Sequence, residues 1–206
     1  MFALVESGSI IKYLSGNKGI TLNDLQYPRA IYTLWTEAER NAIGIYSIVY
    51  DNTNKKDERW YINTNQSYAF ANGKVTATYG TATAKAHADT TWSQDDEDNG
   101  DLPDDKSVGD VKVEGLKTTL IRTLKQQVAG ILSDTDWYIT RNAEKSTAIP
   151  NSISTHRDAV RTKQAQMETA ITNASNTPAL KTLYTYTTDS DGVQSRPLGE
   201  LPTLEI

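Results

Sequence analysis

Two stretches of regularly spaced apolar residues dominate the second half of the chain. Leu116, Leu120, Leu124, Val128 and Leu132 recur every four positions, joined by Ile121 and Ile131. That spacing drifts slowly around a helix and leaves one apolar stripe, so a helix is predicted over 111–132, and its stripe needs a covering element. Farther on, Ile153, Val160, Met167 and Ala174 recur every seven positions, with Ile171 beside them. This predicts a helix begun by Asn151 or Ser152 and running to about Asn173, with a packing seam filled inside the domain or by a second copy. Between the two lies a short helix carrying Trp137 and Arg141 on one face, capped within Ser133 to Thr135. It ends over 146–150, because the residue before Pro150 disfavours helical backbone.

The first half alternates with period two instead. Phe2–Glu6 and Ile10–Leu14 flank Ser7-Gly8-Ser9 as a hairpin, and Ser67–Ala71 and Lys74–Tyr79 flank Asn72-Gly73, whose residues tolerate the positive φ angles of a type I′ turn. A capping box from Thr36 to Glu39 starts a short helix near Glu37–Ile43, and Gly44 supplies its left-handed end. Ile45–Tyr50 and Arg59–Ile62 read as further strands. After the long helices, Thr177-Pro178 opens a short turn, 184–195 reads as a terminal hairpin around Asp189-Ser190-Asp191-Gly192, and the proline-containing tail reads as extended.

The acidic run from Asp95 to Lys106, broken by Gly100 and Pro103, separates the two halves and reads as a solvated linker. A calcium loop is the competing reading, since Asp95, Glu97 and Asn99 occupy the first, third and fifth positions of an EF-hand spacing. Against it, Lys106 stands where the bidentate glutamate belongs. The expected fold is therefore α+β: a β-rich domain over 1–92, an acidic linker over 93–108, a three-helix unit over 109–183, and a hairpin and extended tail over 184–206.

Composition narrows the chemistry. The net charge is −5, from 21 Lys and Arg against 26 Asp and Glu, and mean hydropathy is −0.55, so the chain offers no general basic face to nucleic acid or acidic membranes. The absence of cysteine excludes thiolate metal sites, disulfides and cysteine nucleophiles. The N-terminal residues contain Glu6 and no long apolar run, and neither a signal peptide nor a membrane span is expected there. His87 and His156 are the only histidines, each expected in a surface or capping role. With no GxSxG elbow and no Gly-rich Lys-Ser/Thr phosphate loop, no catalytic residues, metal or cofactor are expected. Trp137, Tyr138, Arg141, Glu144, Pro150, Arg157 and Arg161 form the densest group of anchoring side chains. One reading makes the three arginines an anion site. The other pairs them with Asp136, Glu144 and Asp158 around a largely buried Trp137.

Those residues also carry a resemblance. Thr135-Asp136-Trp137-Tyr138, Arg141, Glu144, Ile149-Pro150, Arg157 and Val160-Arg161 resemble a C-terminal unit of tailed-bacteriophage proteins, among them tail fibre-assembly proteins and other tail or baseplate components. Phe2-Ala3-Leu4-Val5-Glu6-Ser7-Gly8 with Ile11-Lys12-Tyr13 is similar to the start of many such proteins. Together these cover about a third of the chain, and the acidic insert has no counterpart in the family. The resemblance implies a non-enzymatic virion component made in the host cytoplasm, which binds other tail, baseplate or fibre proteins and copies of itself. The alternatives are a fibre-assembly chaperone absent from the finished particle and, more remotely, a wall-degrading enzyme.

Overall fold

The computed structural model describes residues 1–64 and 66–204 and is a mixed α+β structure with two compact units, Met1–Thr83 and Ala84–Ile206.

The first unit contains β1 (Phe2–Glu6), β2 (Ser9–Leu14), β3 (Ile20–Leu22), β4 (Leu25–Tyr27), α1 (Ile31–Leu34), α2 (Glu37–Ala42), β5 (Ile45–Asp51), β6 (Tyr61–Ile62), β7 (Gln66–Ala71) and β8 (Lys74–Tyr79). β9 (Thr83–Ala84) crosses the boundary. Five strands form a curled sheet in the order β2-β1-β5-β8-β7, antiparallel except for the parallel pair β5 and β8. The curl brings the edge strands together, with the rings of Tyr13 on β2 and Tyr68 on β7 4.8 Å apart. Strand alternation sends side chains to two cores. Ala3, Val5, Ile48, Val75 and Ala77 fill one face. Leu4, Leu14, Ile31, Tyr32 and Ile45 fill the other, under Ile20, Leu22 and Tyr27. Fully buried side chains such as Ile31, Ile45 and Val75 each contribute roughly 1.5–3 kcal/mol relative to exposure.

Three hairpins in this unit share one turn chemistry. Ser7 and Gly8, Asn23 and Asp24, and Asn72 and Gly73 all have positive φ at both central positions, the type I′ geometry whose twist matches the strands. The second of these, β3–β4, and helix α1 are additions to the sequence reading. The capping box is present as expected, with the Thr36 hydroxyl accepting from Glu39 N–H and the Glu39 carboxylate accepting from Thr36 N–H. The Thr36 N–H first, and the Thr36 hydroxyl second, both donating to it, hold the Glu39 carboxyl below the usual carboxylate range.

The second unit begins at Ala84, eleven residues before the acidic run opens at Asp95. It contains β10 (Thr90–Thr91), α3 (Gln94–Asp98), β11 (Val111–Val113), α4 (Leu116–Ser133), α5 (Asp136–Lys145), α6 (Asn151–Asn173), α7 (Thr177–Tyr184), β12 (Thr187–Thr188) and β13 (Gln194–Ser195). Residues 93–108 are not a free linker but a loop closed by the β10–β11 pair. Within it, Ser93 and Asp96 form a capping box that starts α3, and Lys112 pairs with Asp96 at 2.5 Å while lying over the Trp92 ring. Lys112 first, then Ser93, pulls the Asp96 carboxyl down to about 2. Because 95–98 are helical, Asp95 and Glu97 project about 200° apart around the axis, which removes the EF-hand geometry.

Residues 85–89 bind the start of α4. Ala86 and His87 carbonyls accept from Leu116 and Lys117 N–H, and the Asp89 carboxylate accepts from Gly115 N–H at 2.6 Å and the Thr118 hydroxyl at 2.8 Å. Asp89 thus caps a helix whose own N-cap residue, Gly115, has no side chain. This is why the helix begins at Leu116, after a short strand, and not at Val111. Nearby, the Thr177 hydroxyl donates to the Lys85 carbonyl at 2.6 Å, and Asn176, not Thr177, caps α7.

The two apolar patterns meet as expected. Leu120, Leu124 and Val128 of α4 are buried, as are Ile153, Val160, Met167 and Ile171 of α6, and the two helices pack together, so the seven-residue seam is filled inside the unit. His156 is buried on α6 instead of lying at its surface. The DSDG segment is a turn, the Asp189 carboxylate accepting from Asp191 and Val193 N–H. The tail does not run free after it. Leu198 is buried, its N–H donates to the Leu183 carbonyl, and Arg196 pairs with Glu200 beneath Tyr184 and Tyr186. The last two residues of the expected tail lie outside the described residues.

Candidate functional site

The corner from α4 through α5 to α6 is organised by Arg157. Helix α4 ends with carbonyls that have no helical partner. Arg157, reaching from the first turns of α6, donates Nη1 to the Leu132 carbonyl at 2.7 Å and to the Thr135 hydroxyl oxygen at 2.7 Å. Its Nη2 lies 2.9 Å from the Asp136 carboxylate. Thr135 is itself buried and donates to the Leu132 carbonyl at 3.0 Å. One guanidinium therefore ties the end of α4, the first residue of α5 and α6 together. A cation is also the favoured charge at a helix C-terminus.

Trp137 does not anchor this corner. It is 51% exposed, Ile139 is 41% exposed, and α5 has no buried residue. The Trp137 ring therefore lies at the surface instead of inside the corner. Its ring and that of Tyr138 sit 3.9 Å apart, and the Arg141 guanidinium lies 4.6 Å from the Trp137 ring centroid and 5.5 Å from that of Tyr138. Arg141 Nε is buried with no hydrogen-bond partner among the described residues.

The remaining expected residues divide as follows. Pro150 is exposed and precedes α6, its carbonyl accepting from Ile153 and Ser154 N–H. Arg161 is exposed and, among the described residues, forms a single ion pair, at 3.7 Å with Asp158, a contact worth little. Glu144 is exposed and joins no ion pair among the described residues. The three arginines are thus engaged separately, on a buried backbone clasp, an aromatic pair and a surface acid, and do not converge on one anion.

Beside the aromatic pair lies a groove of about 500 Å³ lined by Thr135, Trp137, Tyr138, Pro150, Ile153 and Leu204. Leu204 arrives from the tail. Gly199 lies against Lys163, and five residues later Leu204 reaches the groove beside Ile153. Ten residues of α6 span about 15 Å, which matches five residues of extended chain running the opposite way. Thr135 and Leu204 were outside the expected site; the first is a small polar residue at a helix junction, and the second is 51 residues or more from every other lining residue.

Among the described residues, no group of three or more His, Asp or Glu side chains is placed to hold a metal ion, and no helix is long and apolar enough to cross a membrane. Comparison with protein-family models, curated proteins and solved structures finds no match.

Proposed function

We propose that the chain is a structural component of a tailed-phage particle, in the tail, baseplate or fibre-attachment region, and that it works by binding other virion proteins. The observation that carries this reading is the corner itself. Arg157, Thr135 and Asp136 of the resembling pattern fix the backbone, while Trp137 and Ile139 remain exposed beside a groove. Exposed aromatic and aliphatic side chains on a rigid support suit a protein interface, where aromatic residues and arginine concentrate. The rest of the pattern supports the same surface, Arg141 by stacking on the aromatic pair and Pro150 by opening α6 at the groove's edge.

Quantitative mass spectrometry of purified particles tests the proposal. Recovery in fixed stoichiometry with tail or baseplate proteins is expected. Presence in infected cells but absence from particles would point to the assembly chaperone instead.

A further inference from the structure

A second concave site lies in the first unit and is built from residues other than those of the corner. The loop 15–19, Ser-Gly-Asn-Lys-Gly, joins β2 to β3 and closes a pocket of about 230 Å³ lined by Lys12, Ser15, Gly16, Lys18, Gly19 and Tyr32, among others. Among the described residues, no acidic side chain lines it. Neither lysine forms an ion pair among the described residues. The N–H groups of Gly16, Asn17, Lys18 and Gly19 donate to no acceptor among those residues either. Gly16, Lys18 and Gly19, with their unbonded amides, line the pocket beside the two ammonium groups, and such a lining is electropositive.

The loop is held in this form by its glycines. Gly16 has φ +75°, and a Cβ there would come within 3.0 Å of the Phe2 ring and 3.4 Å of Tyr32. A Cβ at Gly19 would lie 2.5 Å from the Tyr27 carbonyl oxygen. Tyr32 is buried in the adjoining core, and that burial pushes its phenol up, so it remains a neutral hydroxyl able to donate. The wider charge balance agrees: residues 1–83 carry eight Lys and Arg against seven Asp and Glu, whereas 84–206 carry thirteen against nineteen. The volume is below the roughly 300 Å³ at which drug-sized sites begin, which limits the ligand to about one ring.

We infer that the pocket at the β2–β3 loop binds a small oxyanion, a phosphate or a carboxylate, free or carried on a single sugar ring, between Lys12, Lys18 and the amides of Gly16, Lys18 and Gly19. Two-dimensional NMR of the ¹⁵N-labelled full chain, titrated separately with inorganic phosphate, glucuronate and neutral glucose at constant ionic strength, tests this. Saturable shifts of the Gly16–Gly19 amides are expected with phosphate, glucuronate or both, and not with glucose. Phosphate alone would assign a bare oxyanion, and a response to glucuronate would assign a carboxylate on a sugar ring. The double variant K12Q/K18Q, whose changes are at exposed positions, should weaken the apparent affinity at least tenfold while leaving the amide signals of the sheet in place. No saturable shift with either anion, an equal response to glucose, or an unchanged affinity in the folded double variant would overturn the inference.

Discussion

The two units are stabilised in different ways. In the first, a curled sheet carries apolar side chains on both faces, and type I′ turns set the register of three hairpins. In the second, an apolar seam between α4 and α6 is supplemented by polar clasps from residues distant in sequence. Asp89 caps α4 from 26 residues away, Thr177 holds the Lys85 carbonyl across 92, and Arg157 closes the end of α4 across 25. Apolar burial is non-directional and tolerates small adjustments, whereas a clasp fails when one atom is removed.

Substitutions can break this contrast at graded cost. The largest effect is expected in the first unit. Ile45→Ala empties a fully buried site between β1 and the second core, and should lower stability by about 2–5 kcal/mol, read from urea unfolding of the β1, β5 and β8 amide signals. Next comes Gly115→Ala, whose Cβ would collide with the Ala88 backbone and push residues 85–89 off α4. A loss of about 1–3 kcal/mol is expected, confined to the second unit's amides.

Removing the clasp carboxylate is smaller and depends on pH. The Gly115 N–H first, and the Thr118 hydroxyl second, hold the Asp89 carboxyl below the usual carboxylate range. The folded state therefore binds this proton less readily than the unfolded chain does. The contribution is complete above the unfolded pKa of about 3.9 and is lost as pH falls through the lower native value. Asp89→Ala should cost about 0.5–2 kcal/mol at neutral pH, as for loss of a helix cap, and should reduce the acid sensitivity of the α4 amides. A variant as acid-sensitive as the native chain would remove Asp89 from this role.

The contrast also explains what could be seen in the sequence. Asn72-Gly73, Ser7-Gly8, the Thr36–Glu39 box and the α4 and α6 periodicities are local signals, and each produced the expected element. The β3–β4 turn was present in the sequence as Asn23-Asp24, but its strands are only three residues long and show little alternation. Ser93 and Asp96 likewise carried a helix-start signal that the surrounding acids obscured. Asp89 gave no such signal, since its value depends on where Gly115 arrives in space. In the corner, Asp136 and Arg157 were brought together by the ion-pair reading, whereas Thr135 entered that grouping only through the resemblance. The roles of Trp137 and Arg157 were not visible, because a periodic pattern identifies a helix face without saying whether anything covers it.

The corner therefore offers the most direct test of the account. Unfolding should be followed through the α4 and α6 amides for Arg157→Ala and Trp137→Ala side by side. Arg157→Ala leaves the Leu132 carbonyl and Thr135 hydroxyl without their buried donor and should cost roughly 2–4 kcal/mol. Trp137→Ala removes a half-exposed ring and its Arg141 stacking and should cost about 1 kcal/mol or less. A Trp137 variant as destabilised as the Arg157 variant, or an Arg157 variant within about 0.5 kcal/mol of the native chain, would contradict the claim that the guanidinium builds the corner and the indole is presented on it.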